Sequence, residues 1–273
     1  MNMKDKRIAM MGAICGDIIG SSYEFRPNKR YDFKLFTRKS TYTDDTVMTC
    51  AIADWLMTDI APEEKMQDWG REHFDAGYGP MFRKWIKADF PRPYNSFGNG
   101  SAMRVSPVGW FAESLEECLR LAKESADVTH NHPEGIKGAQ ATATAIYLAR
   151  TGKTKEEVKT YLTETFGYNL ERKYADIKPY YKFDVTCQGS VPESIICFLE
   201  SNDYESAIRL AVSMGGDADT MGAITGGIAA AFYKEIPDNI AGSCLDLLPN
   251  DIFETIEKFS EYLDKRETDR VKS

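Results

Sequence analysis

The spacing of the cysteines and the scarcity of histidine argue against a zinc-binding or disulfide-rich protein. No two of the six cysteines form a Cys-x-x-Cys pair, and the 273-residue chain has only three histidines. Zinc sites and disulfide-rich domains both depend on such groupings. His130 and His132 stand two positions apart, so they do not share a helix face. We therefore expect buried free thiols in a reducing compartment rather than a zinc site or a disulfide framework.

Long apolar runs, basic charge and linker-like composition are also missing. No apolar stretch reaches the roughly 18 to 20 residues that a membrane span requires. The net charge of -8 argues against a membrane or stably bound nucleic acid as a partner, although it leaves room for a local basic patch. No segment rich in proline, glycine and serine divides the chain. The expectation is one domain over residues 1–273 of a cytoplasmic protein; a monomer is favoured, but the sequence does not determine the oligomeric state.

Alternating strand patterns are absent as well, and helix signals take their place. Thr154 and Glu157 have the spacing of a capping box, and apolar residues recur three and four positions apart in the segment that follows. The pattern predicts an all-α fold. The polar end of the chain, residues 265–273, is expected to be frayed.

Small residues mark two helices that we expect to pack closely. Gly12, Gly16 and Gly20 lie on one helix face, and the segment 222–231 is rich in glycine and alanine. Side chains this small let two helices approach each other, so the second segment is expected to be a buried central helix.

Two short acidic clusters are the most informative feature of the sequence. Thr43-Asp44-Asp45-Thr46 and Gly215-Gly216-Asp217-Ala218-Asp219-Thr220 each place two carboxylates and a threonine hydroxyl in one turn before an apolar helical segment. Mg²⁺, Mn²⁺ and Ca²⁺ take oxygen ligands, and crowded carboxylates repel one another unless a cation neutralises them. Together the clusters predict one oxygen-rich metal site. The alternative is that Asp and Thr serve only as helix caps.

A glycine-flanked turn is the second candidate site. Gly98-Asn99-Gly100 follows two prolines and leads into a predicted helix from Ala102. Exposed backbone amides in such a place suit an anion such as a pyrophosphate. The alternative is a tight turn that needs glycine only for a positive φ.

Taken in order, these motifs resemble the ADP-ribosylglycohydrolase family. The resemblance runs from Met11 to about Tyr233, and no single string is specific by itself. The strings that carry it are the segment 12–20 with Glu24, the acidic cluster 43–46, the segment 96–104, Thr129-His130, and the segment 215–223. The resemblance implies a compact, orthogonal multi-helix domain of the ADP-ribosylglycohydrolase type.

The resemblance also implies a binuclear metal site. Two divalent cations, Mg²⁺ or Mn²⁺, would bind the ribose that carries the scissile bond. The implied metal ligands are Thr43, Asp44, Asp45, Asp217, Asp219 and Thr220.

A second implied set of residues binds the substrate. Phe97 matches a position that can stack on adenine, His130 matches one close to the substrate ribose, and the glycine loop with Ser96 matches a diphosphate and ribose binder. The implied substrate-binding residues are Ser96, Phe97, Gly98, Asn99, Gly100, Ser101 and His130.

The activity implied is hydrolysis of the glycosidic bond between ADP-ribose and an acceptor: a protein side chain, a nucleobase or a small molecule. Such reactions pass through an oxocarbenium-like transition state and need a proton-transferring carboxylate. Glu24, on the long irregular segment 21–43, is our first candidate, with Asp45 and Asp219 as the others. The competing class is a non-catalytic ADP-ribose binder or a crystallin-like structural protein, since a fold does not guarantee activity. Without the family, Glu24 would be an ordinary solvated carboxylate.

Overall fold

The structure is a computed structural model that describes residues 7–272. In this range the chain forms helices and a single isolated β-bridge, between Gly98 and Thr186. The all-α prediction is confirmed. In chain order the helices are α1 Ile8–Ser21, α2 Asp44–Leu56, α3 Pro62–Glu72, α4 Pro80–Ile86, α5 Gly100–Met103, α6 Ser106–Phe111, α7 Leu115–Asp127, α8 Pro133–Arg150, α9 Lys155–Phe166, α10 Tyr174–Ile177, α11 Cys187–Glu200, α12 Tyr204–Ser213, α13 Ala218–Tyr233, α14 Asp238–Leu245 and α15 Asn250–Lys272.

Helices α1 and α13 form the centre of the molecule and run antiparallel. A Cβ built on Gly16 would lie 2.0 Å from the carbonyl oxygen of Gly222, so only glycine allows this approach. Both helices are buried along almost their whole length. The predicted close packing and buried central helix are confirmed. The pair brings the end of α1 beside the start of α13, where the second acidic cluster lies.

The remaining helices surround this pair. Helices α8, α11 and α12 pack against α13, and α2 lies between α1 and the outer helices α3 and α15. All six cysteines are buried and free, as the sequence predicted. Between residues 7 and 272, no helix combines the length and the apolar character that crossing a membrane takes.

The C-terminal segment is helical to its last described residue, and its fraying stays a prediction. Helix α15 continues through Lys272, and only Ser273 of this segment lies outside the described residues. Arg266 stacks on the ring of Phe111, donates a hydrogen bond to its carbonyl oxygen, and pairs with Glu113. These contacts join Arg266 to the end of α6 and the residues just beyond it. That residues 1–273 form one domain stays a prediction.

Candidate active site

Asp17 on α1 organises the first acidic cluster. Its carboxylate is fully buried and accepts hydrogen bonds from the backbone amides of Thr43, at 2.9 Å, and Thr46, at 3.1 Å. The hydroxyl groups of both threonines donate to the same carboxylate. Thr43 also caps α2 by accepting from the amide of Asp45. The result is a fixed helix start that presents Asp44 and Asp45.

Asp17 is a site residue to which the sequence reasoning assigned no role. Its signal was present, because it is the one charged residue among the buried side chains of α1. A buried carboxylate in an apolar helix requires polar partners. Those partners come from the loop before α2, and the sequence alone did not identify them.

The second cluster lies where the chain turns into α13. Gly215 has a φ of +76°, which favours glycine, and it reverses the chain after α12. Asp217 is the residue before α13, and its carboxylate accepts a hydrogen bond of 2.8 Å from the side-chain amide of Asn99. Asp219 lies in the first turn of the helix and is 4% exposed.

The two clusters and Glu24 meet in space. The hydroxyl of Thr220 donates to Asp45 across 3.4 Å, which joins the start of α13 to the start of α2. Carboxylate oxygens of Glu24, Asp217 and Asp219 all lie within 4.8 Å of one another. The structure therefore brings together carboxylates from three segments of the chain. We call Asp44, Asp45, Asp217, Asp219 and Glu24 the carboxylate cluster.

Without a cation, ionisation of the carboxyl groups in this cluster is unfavourable. Burial, reinforced by the neighbouring carboxylates, raises the pKa of Glu24 to about 7 and that of Asp44 to about 8. The same causes hold the pKa values of Asp45 and Asp219 well above their usual range. Within residues 7–272, no lysine, arginine or histidine pairs with these carboxylates.

The donor set fits hard divalent cations. Asp45 Oδ2 is buried without a hydrogen-bond partner, so it is an acceptor that lacks a positive group. All the candidate ligand atoms are carboxylate or hydroxyl oxygens, which Mg²⁺ and Mn²⁺ prefer. The Thr43 and Thr220 hydroxyl oxygens, although they donate to aspartates, still have lone pairs to offer.

The glycine loop is narrower as an anion site than the sequence predicted. The amide of Gly98 donates to the Ser96 hydroxyl, and that of Asn99 donates to the carbonyl of Val185 at 2.8 Å. From Gly98 to Ser101, the amides without such a partner among the described residues are those of Gly100 and Ser101. The helix that follows, α5, has four residues. An anion would therefore face two amides rather than the whole loop.

The other predicted substrate-binding residues fall into different environments. The Phe97 ring is 44% exposed and lies 5.2 Å from the ring of His132. The Ser101 hydroxyl is fully buried and donates to the carbonyl of Gly135, so it fixes the loop from behind. His130 lies beneath the loop, with its Nε2 3.0 Å from where a Cβ on Gly100 would stand.

Long-range hydrogen bonds hold the segment 168–188 and the loop that carries Glu24 beside the candidate site. Val185 and Cys187 hydrogen-bond to the backbone of Phe97 and Asn99, so the 168–188 segment supports the glycine loop. Lys29, on the loop that carries Glu24, donates to the carbonyl oxygens of Lys178, Tyr181 and Met214. The sequence alone could not identify the residues that support these two loops, because every one of these hydrogen bonds joins distant parts of the chain.

The chain is similar in sequence to proteins of known activity. Residues 4–271 match the sequence profile of the family described as ADP-ribosylglycohydrolase. ADP-ribosylhydrolase ARH3 from Bos taurus is 25% identical, over 87% of this chain and 88% of its own. ADP-ribosylarginine hydrolase Tri1 from Pseudomonas putida is 26% identical, over 82% of this chain and 69% of its own.

A solved structure described as an ADP-ribosylglycohydrolase-related protein complex has the same fold. It superposes with a TM-score of 0.71 at 24% identity, and the match covers 96% of this chain and 97% of that one. At this identity the likeness supports the fold, whereas the sequence profile spans nearly the whole chain. The chain belongs to the ADP-ribosylglycohydrolase family of glycosidic-bond hydrolases.

Proposed function

We propose that this protein is a metal-dependent hydrolase that cleaves the glycosidic bond between ADP-ribose and an acceptor, and so reverses ADP-ribosylation. The observation that carries the proposal is the carboxylate cluster, in which buried and half-buried acidic groups from three segments meet with no basic partner among residues 7–272. The ADP-ribosylhydrolases among its relatives support the same reaction.

The residues that would hold two divalent cations are those that the sequence nominated. They are Thr43, Asp44, Asp45, Asp217, Asp219 and Thr220. Divalent ions at such a site supply charge neutralisation, orientation of hydroxyl groups and a lowered pKa for bound water. The presence of all six oxygen donors argues against a family member that has lost its activity.

Glu24 is the proposed proton-transferring residue. Its carboxylate lies beside Asp217 and Asp219 but comes from an irregular loop rather than a helix start. A pKa of about 7, raised mainly by burial, lets a carboxyl group both hold and release a proton near neutral pH. Protonated Glu24 would donate to the leaving acceptor, and ionised Glu24 would take a proton from the attacking water. Asp45 and Asp219 are the alternatives.

The adenosine diphosphate part of the substrate is proposed to lie along the glycine loop. Exposed Phe97 offers a ring face for adenine, and the free amides of Gly100 and Ser101 offer donors for phosphate oxygens. Asn99 joins this loop to Asp217 through its side chain, so the loop and the carboxylate cluster are held in a fixed relation.

The acceptor would leave on the Glu24 side. Phe25, next to Glu24, is 80% exposed and its ring lies 6.3 Å from the ring of Phe183, which is also exposed. An arginine, serine, nucleobase or acetyl group would meet this aromatic pair. The Tri1 relative is named for arginine, while the ARH3 relatives carry no acceptor in their name.

The deciding experiment is an assay of the purified protein with ADP-ribose joined to arginine, serine, DNA bases and acetyl, with Mg²⁺ or Mn²⁺ and with chelator. Release of ADP-ribose that depends on the cation is the expected result. Binding of ADP-ribose without turnover of any substrate would favour the non-catalytic binder. If the protein shows no binding of ADP-ribose and no turnover of any substrate, the proposal is overturned and a structural role remains.

A further inference from the structure

A buried arginine near the glycine loop has no carboxylate partner among residues 7–272. Arg104 is 1% exposed, and its Nη2 donates to the carbonyl of Ser125 at 2.6 Å and to the hydroxyl of Thr129 at 3.0 Å. The neighbouring groups that act on its charge are Tyr94 and Cys187, and neither is a carboxylate. Its Nε is shielded from solvent and makes no hydrogen bond. A buried cation is costly unless something pairs with it.

The hydrogen bond that Arg104 donates determines where the hydroxyl proton of Thr129 points, and through it the position of the ring proton on His130. A guanidinium only donates, so the Thr129 oxygen accepts from Arg104 and its own single proton is free for another partner. The other hydrogen-bonding atom of the described chain at Thr129 Oγ1 is Nδ1 of His130, at 2.7 Å. Thr129 is fully buried, so no solvent acceptor competes. Donation of that proton to Nδ1 of His130 satisfies both groups, and it leaves the ring proton on Nε2.

The Nε2 atom of His130 faces the loop that is proposed to bind the substrate. A Cβ on Gly100 would lie 3.0 Å from it, and one on Gly98 would lie 3.6 Å away. No other described residue forms a hydrogen bond with this nitrogen. Burial and the Arg104 charge both lower the pKa of His130, so the ring is neutral and keeps this one proton. The N–H group therefore remains available to a ligand.

We infer that Arg104 and Thr129 are positioning residues that hold His130 as a fixed Nε2–H donor toward the oxygen of an anionic ligand in the glycine loop. This inference deepens the proposed function, since it assigns the diphosphate of ADP-ribose to that donor. Diphosphate oxygens only accept, so the opposite tautomer would present a lone pair to the ligand and repel it. The unpaired charge of Arg104 favours the same anion from behind.

The tautomer is tested first, on the metal-free and ligand-free protein. Nitrogen-15 NMR of the imidazole side chains distinguishes Nε2–H, Nδ1–H and imidazolium, and His130→Asn identifies the signal among three histidines. The expected result at pH 7.5 is the neutral Nε2–H form. Finding Nδ1–H, imidazolium or an exchanging mixture overturns the inference whatever the protein binds.

The hydrogen bond between Thr129 and His130 is tested next with variants of Thr129. Thr129→Val removes the hydroxyl and keeps the shape, so we expect a tautomer mixture and ADP-ribose binding weaker by roughly 10-fold, the value of one hydrogen bond to a charged group. Thr129→Ser should restore both. Thr142→Val is the matched control, because Thr142 is equally buried and its hydroxyl has no partner. A wild-type tautomer and affinity in Thr129→Val would overturn the inference.

The charge of Arg104 is tested by comparing ligands. Arg104→Met should weaken ADP-ribose more than adenosine, which lacks phosphate, and equal losses for both would remove the electrostatic role. If this variant does not fold, the Thr129 variants still decide whether the Thr129 hydroxyl positions the proton on His130. If wild-type protein binds no ADP-ribose, the proposed function fails and the diphosphate assignment fails with it, while the NMR result still decides the tautomer.

Discussion

The carboxylate of Asp17 accepts hydrogen bonds from both the amide nitrogen and the hydroxyl of Thr43, at 2.9 and 2.8 Å. This contact joins the central helix α1 to the first residue of the acidic cluster. This contact also positions the neighbouring Asp44 and Asp45. A residue with no role of its own in the chemistry therefore orients the residues that are proposed to hold the cations.

The first prediction concerns this contact. Asp17→Asn places an NH₂ group opposite donors, so we expect divalent-cation affinity to fall about 10- to 100-fold, as for residues that orient metal ligands. Isothermal calorimetry with Mn²⁺ measures it. Asp32→Asn, on an exposed aspartate paired with Arg30, is the control. Unchanged affinity in a folded Asp17→Asn protein would show that Thr43 and Thr46 hold the cluster alone.

Cation binding should stabilise the fold. A ligand that binds only the folded state adds to its stability, so Mg²⁺ or Mn²⁺ should raise the melting temperature of the chelated protein. Asp45→Asn removes a buried carboxylate with an unpartnered oxygen and should lose most of that rise. The same variant should melt no lower than wild type in chelator, because a like charge has gone. Calorimetry that detects no cation uptake by wild-type protein would rule out the site.

Stability of the metal-free protein should depend on pH in an unusual direction. The pKa of Asp44 is raised to about 8 by burial and neighbouring carboxylates, against about 3.9 in an unfolded chain. Between these values the folded state binds a proton that the unfolded state does not, so stability is lost as pH rises through about 8. His130 acts in the opposite sense, and its effect fades above about pH 7.5, where histidine in the unfolded chain has lost its proton.

Thermal melts in chelator between about pH 7.5 and about 8.5 test that sign, because unfolded-state His130 is almost fully neutral in this window. The wild-type melting temperature should fall toward the alkaline end, and Asp44→Asn should flatten the curve. Excess Mn²⁺ should flatten it as well, since the cation replaces the proton. A wild-type curve that rises with pH would contradict the prediction.

Phe97 should contribute to ligand affinity without contributing to cation affinity. Its ring is exposed at the glycine loop, so Phe97→Ala should weaken ADP-ribose by about 1 to 3 kcal/mol if adenine stacks there. Titration calorimetry gives both affinities on one preparation. Phe90→Ala, at another exposed phenylalanine, is the control. Equal ADP-ribose affinity in Phe97→Ala and wild type would remove this ring from the site.

Glu24 should separate catalysis from binding. Glu24→Gln keeps the shape but cannot transfer a proton, so we expect kcat to fall roughly 10²- to 10⁴-fold while ADP-ribose affinity is retained. Glu64→Gln, on an exposed glutamate of α3, is the control. Wild-type turnover in Glu24→Gln would leave Asp45 or Asp219 as the proton-transferring residue. A loss of both turnover and binding would indicate a folding defect.

What the sequence by itself determined is local in origin. Capping residues and helical periodicity predicted an all-α fold, and the spacing of Gly12, Gly16 and Gly20 predicted close helix packing, because both depend on residues within a few turns of each other. The buried free cysteines followed from their apolar neighbours and the absence of paired spacing. The acidic clusters could be nominated as one site from their oxygen chemistry, although their proximity could not be measured.

The tertiary structure alone decided which groups meet. The partner of Asp17, the inward direction of Ser101 and the small number of free amides in the glycine loop each depend on residues far apart in the chain. Hydrogen bonds of this kind exist only in the packed tertiary structure, and no short-range pattern encodes them. Burial then raised the pKa values of the carboxylate cluster, because desolvation is a property of the folded surroundings and not of the sequence around each aspartate.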